Sequence, residues 1–462
     1  MNHALIIQPE LKQANALSDM RTPQERLEEA CGLAAAIDLE IVHTEIITMA
    51  RVRAASLLGP GVVERIAATA ESLENPLIII NASLSPVQHR NLERALGCKV
   101  IDRTALILEI FGARAQSHAG RLQVELAALT FQKSRLVRSW THLERQRGGG
   151  GFLGGPGERQ LELDKRMLTD QIKQIRKELG DVKRTRTLQR ANRRRSQTPT
   201  IALVGYTNAG KSTLFNRLTG ADVLSKDMLF ATLDPTIRGV ELPSGRAVLM
   251  GDTVGFISNL PTELVEAFKS TLEEINQSDL ILHVHDISAA DFEQEASDVR
   301  AVLSEIGIDV MEQSSKVLNV YNKCDNLDAE ALAIYRESLD GVLCSAVSGM
   351  GIDLLCQHIE DVFNQGDMCL SLALAPQQAS AGAWLYENGQ VSASSYDEDG
   401  QHHITVTLSI ADKQRFARQW PDILLSDISR PDTPRPDTPR PDISQPDIPQ
   451  PDISRPNILR PK

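Results

Sequence analysis

The residues whose types and spacing carry the most chemistry run from Thr200 to Thr213: Thr-Ile-Ala-Leu-Val-Gly-Tyr-Thr-Asn-Ala-Gly-Lys-Ser-Thr. An apolar run ending at Val204 reads as a short buried strand. Residues 205–212 fit the phosphate-loop pattern Gly-x4-Gly-Lys-Ser, and Thr213 continues as a helix. Gly205 and Gly210 let the backbone of Tyr206, Thr207, Asn208 and Ala209 wrap so that its N–H groups face phosphate oxygens, with the helix N-terminus adding partial positive charge. Lys211 is placed to reach the β- and γ-phosphates, and the Ser212 hydroxyl to ligate Mg²⁺.

The base is read elsewhere, in Asn322-Lys323-Cys324-Asp325 after an apolar strand. An Asp325 carboxylate accepts two hydrogen bonds from guanine N1 and N2, whereas adenine offers it no matching donors. Asn322 is expected to tie this loop to the phosphate loop, and the stem of Lys323 to lie over the base. In Asp252-Thr253-Val254-Gly255, Asp252 would hold Mg²⁺ through water and the Gly255 N–H would sense the γ-phosphate. Ser345-Ala346-Val347 would close over guanine O6 through backbone N–H groups. The switch segment is Phe230-Ala231-Thr232-Leu233-Asp234-Pro235-Thr236, with Thr232 the second Mg²⁺ ligand and Thr236 the fallback. Lys211, Thr232 and Gly255 then form the catalytic set. Many GTPases carry a water-orienting glutamine directly after this glycine; here the residue is Phe256.

The elements around these motifs must position them. A chain of 462 residues suggests about three domains. Residues 1–120 alternate apolar runs (4–7, 77–80, 99–101) with helical spacing (24–37, 62–73, 86–96), the pattern of a small α/β domain. Residues 58–61, Leu-Gly-Pro-Gly, read as a turn. The nucleotide motifs place an α/β GTPase domain at 197–365. Residues 366–420 form a small C-terminal domain with one strand signal, 403–408. Beyond 421 proline recurs every five residues from Pro431, which predicts an extended, disordered tail. Six cysteines without a C-x-x-C pair, no signal peptide and no run approaching 20 apolar residues predict reduced thiols, no membrane span and a cytoplasmic location, with peripheral membrane association left open.

The net charge of −12 conceals an asymmetry. Residues 121–195 hold 19 Lys/Arg against 8 Asp/Glu, a local +11 that leaves −23 for the rest (−12 − 11), and nucleic acid is the fitting partner. Within 121–196, Leu122, Leu126, Leu129, Lys133, Leu136, Trp140 and Leu143 step as a heptad seam; Leu161, Leu168, Ile172, Ile175, Leu179 and Val182 repeat it. Two arms of about 22 residues should form an antiparallel coiled-coil hairpin. Its glycine-rich tip, residues 147–159, carries Phe152 and Leu153 as apolar contacts between Arg147 and Arg159.

These motifs, together with Val100-Ile-Asp-Arg-Thr104, Leu122-Gln-Val-Glu-Leu126 and the Gly-Pro-Gly-Glu of the tip, resemble HflX-type GTPases over roughly residues 1–365. The resemblance implies binding to the large ribosomal subunit and its rRNA, contact through Arg147, Phe152, Leu153 and Arg159, and splitting or rescue of stalled ribosomes under stress by a monomer. Similar GTPases lacking the glutamine use an asparagine where Asn208 stands to help hold K⁺; the alternative is that Asn208 hydrogen-bonds its own loop. Residues 56–61 depart from the basic glycine loop of the family, and 366–462 lie outside the resemblance. An RNA-binding scaffold with structural GTP and a tRNA-modification-related GTPase are the competing readings.

Overall fold

Apolar runs around Ile6, Ile79 and Ile101 pair side by side, each flanked by helices, so they are apolar on both faces. The computed structural model describes residues 3–12, 21–144, 156–195, 198–221, 229–230, 232–233, 236–305, 307–308, 316–364, 368–397, 400–408, 410–423 and 426–427. The chain divides into two units, residues 1–360 and 361–462. The first begins with β1 (His3–Leu11), α1 (Pro23–Ala35), β2 (Glu40–Met49), α2 (Pro60–Ser72), β3 (Leu77–Ile80), α3 (Pro86–Leu96), β4 (Val100–Asp102) and α4 (Arg103–Arg114), in a parallel sheet of order β2-β1-β3-β4. Thr22 with Glu25 and Ser85 with Gln88 form capping boxes followed by proline, which fixes the starts of α1 and α3. Of residues 58–61, expected as a turn, Leu58 and Gly59 lead into α2 with Gly59 as its N-cap, while Pro60 and Gly61 already form its first turn. Two elements were not expected: β2, a half-buried edge strand of mixed polarity, and α4, whose N-cap Asp102 accepts the Ala105 N–H at 2.8 Å.

Next come two long helices, α5 (His118–Glu144) and α6 (Pro156–Arg195), packed along one another. Leu122, Leu126, Ile172 and Ile175 of the expected seam are buried, and Leu129, Leu168, Leu179 and Val182 half-buried. At 40 residues α6 is about 60 Å long and not the 22-residue arm expected. It runs on through residues 184–195 because that stretch has neither glycine nor proline and is rich in helix-forming Arg. Arg147, Phe152 and Leu153 lie outside the described residues, as does the side chain of Arg159.

The unit continues with β5 (Thr200–Gly205), α7 (Lys211–Thr219), β6 (Thr236–Glu241), β7 (Ala247–Asp252), α8 (Thr262–Asn276), β8 (Leu280–Asp286), α9 (Phe292–Glu305), β9 (Val317–Asn322), α10 (Ala329–Ser338), β10 (Val342–Leu343) and α11 (Ile352–Asn364). The sheet order is β10-β9-β8-β5-β7-β6, parallel except for the β6–β7 pair. Strand order reverses about β5, so the loops leaving the carboxyl ends of β5, β7 and β9 meet over one crevice.

Beside β5, the neighbouring rings of His283 and His285 on β8 are buried, 4.0 Å apart by centroid. Burial holds His283 well below the usual imidazole range and His285 down at about 4. The sign follows from linkage: the unfolded imidazoles take up protons near pH 6.5, the folded ones only at lower pH. The stability they contribute is therefore present above 6.5 and lost as pH falls towards 4, about 3 kcal/mol for His285. Urea midpoints measured across that window should fall more steeply for the wild type than for His285→Asn, and parallel curves would refute the assignment.

In the second unit β11 (Met368–Leu374), α12 (Ala379–Asn388), β12 (Gln390–Tyr396), β13 (His402–Leu408), α13 (Ile410–Gln419) and β14 (Ser426–Asp427) form an antiparallel sheet of order β12-β13-β11-β14. Leu370, Leu372 and Leu374 on β11 bury one face against Phe416, with Trp384 and Trp420 alongside. Only β13 was expected; the period-two leucines of β11 were a signal the sequence reading passed over. The proline repeats lie outside the described residues. All six cysteines are free, and among the described residues no helix is long and apolar enough to cross a membrane.

Candidate functional site

The β5–α7 turn is shaped by what its glycines exclude. A Cβ on Gly205 would enter the Val284 carbonyl, and one on Gly210 would strike the Asn322 amide. Gly210 also lies at φ 85° and caps α7. The loop borders a cavity of about 510 Å³. Thr207, Asn208, Gly210, Lys211, Ser212 and Thr213 form its floor; Phe230, Thr232, Thr253 and Gly255 line one side; Asn322, Lys323, Asp325, Asn326, Ala346 and Val347 line the other. Every lining residue but Asn326 belongs to the segments singled out in the sequence.

Three oxygens converge at the floor. Ser212 Oγ donates to Asp252 Oδ2 at 2.7 Å and lies 2.7 Å from Thr232 Oγ1. Asp252 is fully buried, and its Oδ1 has no hydrogen-bond partner among the described residues. Thr236, the fallback ligand, begins β6 and does not line the cavity. Lys211 Nζ donates to the carbonyls of Tyr206 at 2.6 Å and Gly205 at 3.1 Å. Burial pushes the Lys211 ammonium down to about 8 and the Asp252 carboxyl up from its usual value. Each charge is thus held where solvent cannot support it, the condition in which an anion and a cation brought together are stabilised most. An orphaned carboxylate oxygen beside two hydroxyls fits a hard divalent cation such as Mg²⁺.

On the opposite wall, Asn322 joins three segments. Its Nδ2 donates to the Ala209 carbonyl at 2.9 Å, and its Oδ1 accepts the Ala346 N–H at 2.9 Å. Lys323, at φ 63°, directs Nζ to Asp286 Oδ2 at 2.7 Å. Asp325 stands exposed at the cavity rim.

Other residues singled out in the sequence have different places. Cys324 is buried against Ile287 and Tyr321, Ser345 is fully buried, and Leu233 and Val254 belong to the core. Ala231 and Asp234 lie outside the described residues. The side chain of Tyr206 turns away from the cavity to the N-terminal helices, donating from its hydroxyl to Glu29. Phe256 is buried in the core, while its N–H donates to the Gly205 carbonyl at 3.2 Å and its carbonyl accepts the Thr207 N–H at 2.7 Å.

Contacts between the N-terminal helices and this site were not foreseen. The Phe111 ring of α4 packs against Phe230 at a tilt of 54°, with centroids 4.7 Å apart, and Arg103 Nη2 reaches the Ser258 carbonyl at 2.9 Å. Arg103 stands in the motif Val100–Thr104 that carried the resemblance, but nothing in its local spacing ties it to a residue 155 positions away.

Four sequence families match consecutive stretches of the chain: GTP-binding GTPase N-terminal over 24–112, GTP-binding GTPase Middle Region over 114–193, 50S ribosome-binding GTPase over 200–323 and HflX C-terminal domain over 334–424. The last carries the likeness past residue 365, where the sequence reading had ended it. The GTPase HflX of Magnetococcus marinus is 44% identical over 390 residues, 84% of this chain and 88% of that protein. The Escherichia coli GTPase HflX is 42% identical over 370 residues, 79% and 86% of the two chains. A GTP-binding protein from Sulfolobus solfataricus, solved in complex with GDP, is similar at 24% identity and a TM-score of 0.41, covering 78% of this chain and 98% of that one.

Proposed function

This chain belongs to the HflX family of GTPases, and from that premise we propose that the cavity over β5, β7 and β9 binds Mg²⁺–GTP and that hydrolysis there switches a hold on the large ribosomal subunit. The observation that carries the nucleotide assignment is the convergence of Ser212, Thr232 and Asp252 beside Lys211, four groups from three separate segments. Ser212 and Thr232 would hold Mg²⁺ directly and Asp252 through water, and the ion would neutralise charge between the β- and γ-phosphates. Lys211 binds the same phosphates, the Gly255 N–H senses the γ-phosphate, and Asp325 reads guanine. Gly255 is constrained to be glycine, because a Cβ there would lie 2.8 Å from Thr207 Cγ2 and 3.1 Å from Lys211 Nζ.

The ribosomal partner is supported by the name of the family matching residues 200–323 and by the +11 charge of residues 121–195, which suits rRNA phosphates. Acting as a monomer in its GTP state, the protein would bind the 50S subunit and promote splitting or rescue of stalled ribosomes under stress. Co-sedimentation with 50S subunits is expected with a non-hydrolysable GTP analogue and not with GDP. Equal binding in both states would instead mark an RNA-binding scaffold, a reading the basic α5–α6 pair also supports.

The glycine-rich tip supplies a further expected result. Phe152→Ser with Leu153→Ser should leave GTP affinity intact and weaken 50S binding about tenfold or more, since apolar anchors in a contact dominate its energy. Subunit binding should also fall with salt far more steeply than nucleotide binding does. An unchanged subunit affinity would reduce residues 148–157 to a linker.

A further inference from the structure

One carboxylate outside the cavity closes a ring of hydrogen bonds around two of its walls. The Tyr206 hydroxyl donates to Glu29 Oε1 and accepts the Ser258 N–H at 2.8 Å. Ser258 Oγ donates to Glu29 Oε2 at 3.1 Å. Arg103 Nη2 lies 3.0 Å from Glu29 Oε2, 3.0 Å from Ser258 Oγ and 2.9 Å from the Ser258 carbonyl. All four side chains are largely shielded from solvent, Glu29 being 12% and Arg103 8% exposed. In such a setting each bond is strong and each lost partner costly.

The ring sits one peptide from the phosphate-gripping lysine and three residues from the γ-phosphate sensor. The carbonyl of Tyr206 receives Lys211 Nζ at 2.6 Å. Ser258 follows Gly255 by three residues, and the strand-like bridge between Tyr206 and Phe256 zips the two segments together. Glu29 and Arg103 come from α1 and α4, so the N-terminal domain sets where the two segments stand relative to each other.

We propose that Glu29 is a positioning residue for GTP hydrolysis: through Tyr206 and Ser258 it holds Lys211 and Gly255 in register, although it does not itself line the cavity. The proposal rests on the reading of that cavity as the GTP site. Lys211 would touch both GDP and GTP, whereas the loop of Gly255 would meet only the γ-phosphate. Loosening the ring therefore degrades what depends on GTP and spares what GDP already satisfies.

The test uses the full chain with three variants: Glu29→Gln, Tyr206→Phe, which leaves the Arg103–Glu29 ion pair intact, and the two combined. Each single change is expected to lower kcat about tenfold, the rate equivalent of one hydrogen bond's net contribution, with GDP affinity within about twofold of wild type. The combination should lose no more than the worse single variant, because both open the same ring. Unchanged kcat in both singles overturns the proposal, as do losses that multiply in the combination or a GDP affinity that falls in step with kcat. Should Glu29→Gln fail to fold because Arg103 is left buried and unpaired, Tyr206→Phe decides alone on kcat against GDP affinity. A wild type that binds neither GDP nor GTP would refute the nucleotide site itself; a wild type that binds both, with unaltered variants, refutes only the role of Glu29.

Discussion

Asp325→Asn is expected to lower GTP affinity about a hundred- to a thousandfold while raising affinity for xanthosine triphosphate. Guanine presents N1–H and N2–H₂, two donors that a carboxylate accepts together, and losing charge-assisted bonds of this kind costs roughly 3–4 kcal/mol. Xanthine presents N1–H beside a carbonyl at C2, the pattern an amide complements with one oxygen and one NH₂. The geometry favours a clean experiment. Asp325 is exposed at the rim, in the short turn Cys324–Asn326, while Asn322 and Lys323 hold the loop through Ala209, Ala346 and Asp286. The substitution should therefore leave the melting temperature unchanged. Undiminished GTP binding by this variant would remove Asp325 from the base-reading role.

Hydrolysis is expected to run faster in K⁺ than in Na⁺, by up to about 10³-fold, with the difference abolished in Asn208→Ala. Phe256 occupies the place of the water-orienting glutamine. Its ring is buried in the core and its main chain is bonded to Gly205 and Thr207, so it serves the shape of the loop and offers nothing to a water molecule. Charge stabilisation then has to come from elsewhere. Asn208 lines the cavity, is exposed and stands at φ 63°; its side chain has no hydrogen-bond partner among the described residues. That leaves its amide oxygen available to a monovalent cation near the β- and γ-phosphates, where a positive charge acts as an arginine finger does. Rates equal in the two salts, or a K⁺ effect that survives Asn208→Ala, would rule this out.

Addition of 50S subunits should stimulate hydrolysis further by excluding solvent from the cavity. Phe256→Ala should cost about 3–5 kcal/mol of stability through its cavity, with little change in the intrinsic rate per folded molecule. Lost turnover with folding and GTP affinity preserved would instead return water positioning to Phe256.

Much of the site is local, and for that reason it could be read from the chain. A phosphate loop needs glycines at 205 and 210, a lysine and a hydroxyl in one short interval, and each further motif is a strand followed by a few fixed residue types. The same holds for helices with capping boxes at Thr22 and Ser85 and for the leucine and isoleucine seam of α5 and α6, since caps and periodicity act over a handful of residues. Edge strands were harder. β2 and β12 bury little on one side and so carry mixed composition, while the reach of α6 through residues 184–195 depended on an absence of helix breakers there that the charge pattern obscured.

Tertiary structure alone decided which residues outside the motifs hold the site in place. The motifs already implied that Ser212, Thr232 and Asp252 meet around one cation, but they could not say that Tyr206 would turn its ring from the cavity to Glu29. Nor could they join Arg103 to Ser258 across 155 residues. Contacts of that kind arise where elements distant in sequence pack into one core and buried polar groups must find partners wherever the chain brings them. They leave no period and no motif in the sequence; the residues that do chemistry are written locally, and the residues that hold them in place are set by the fold.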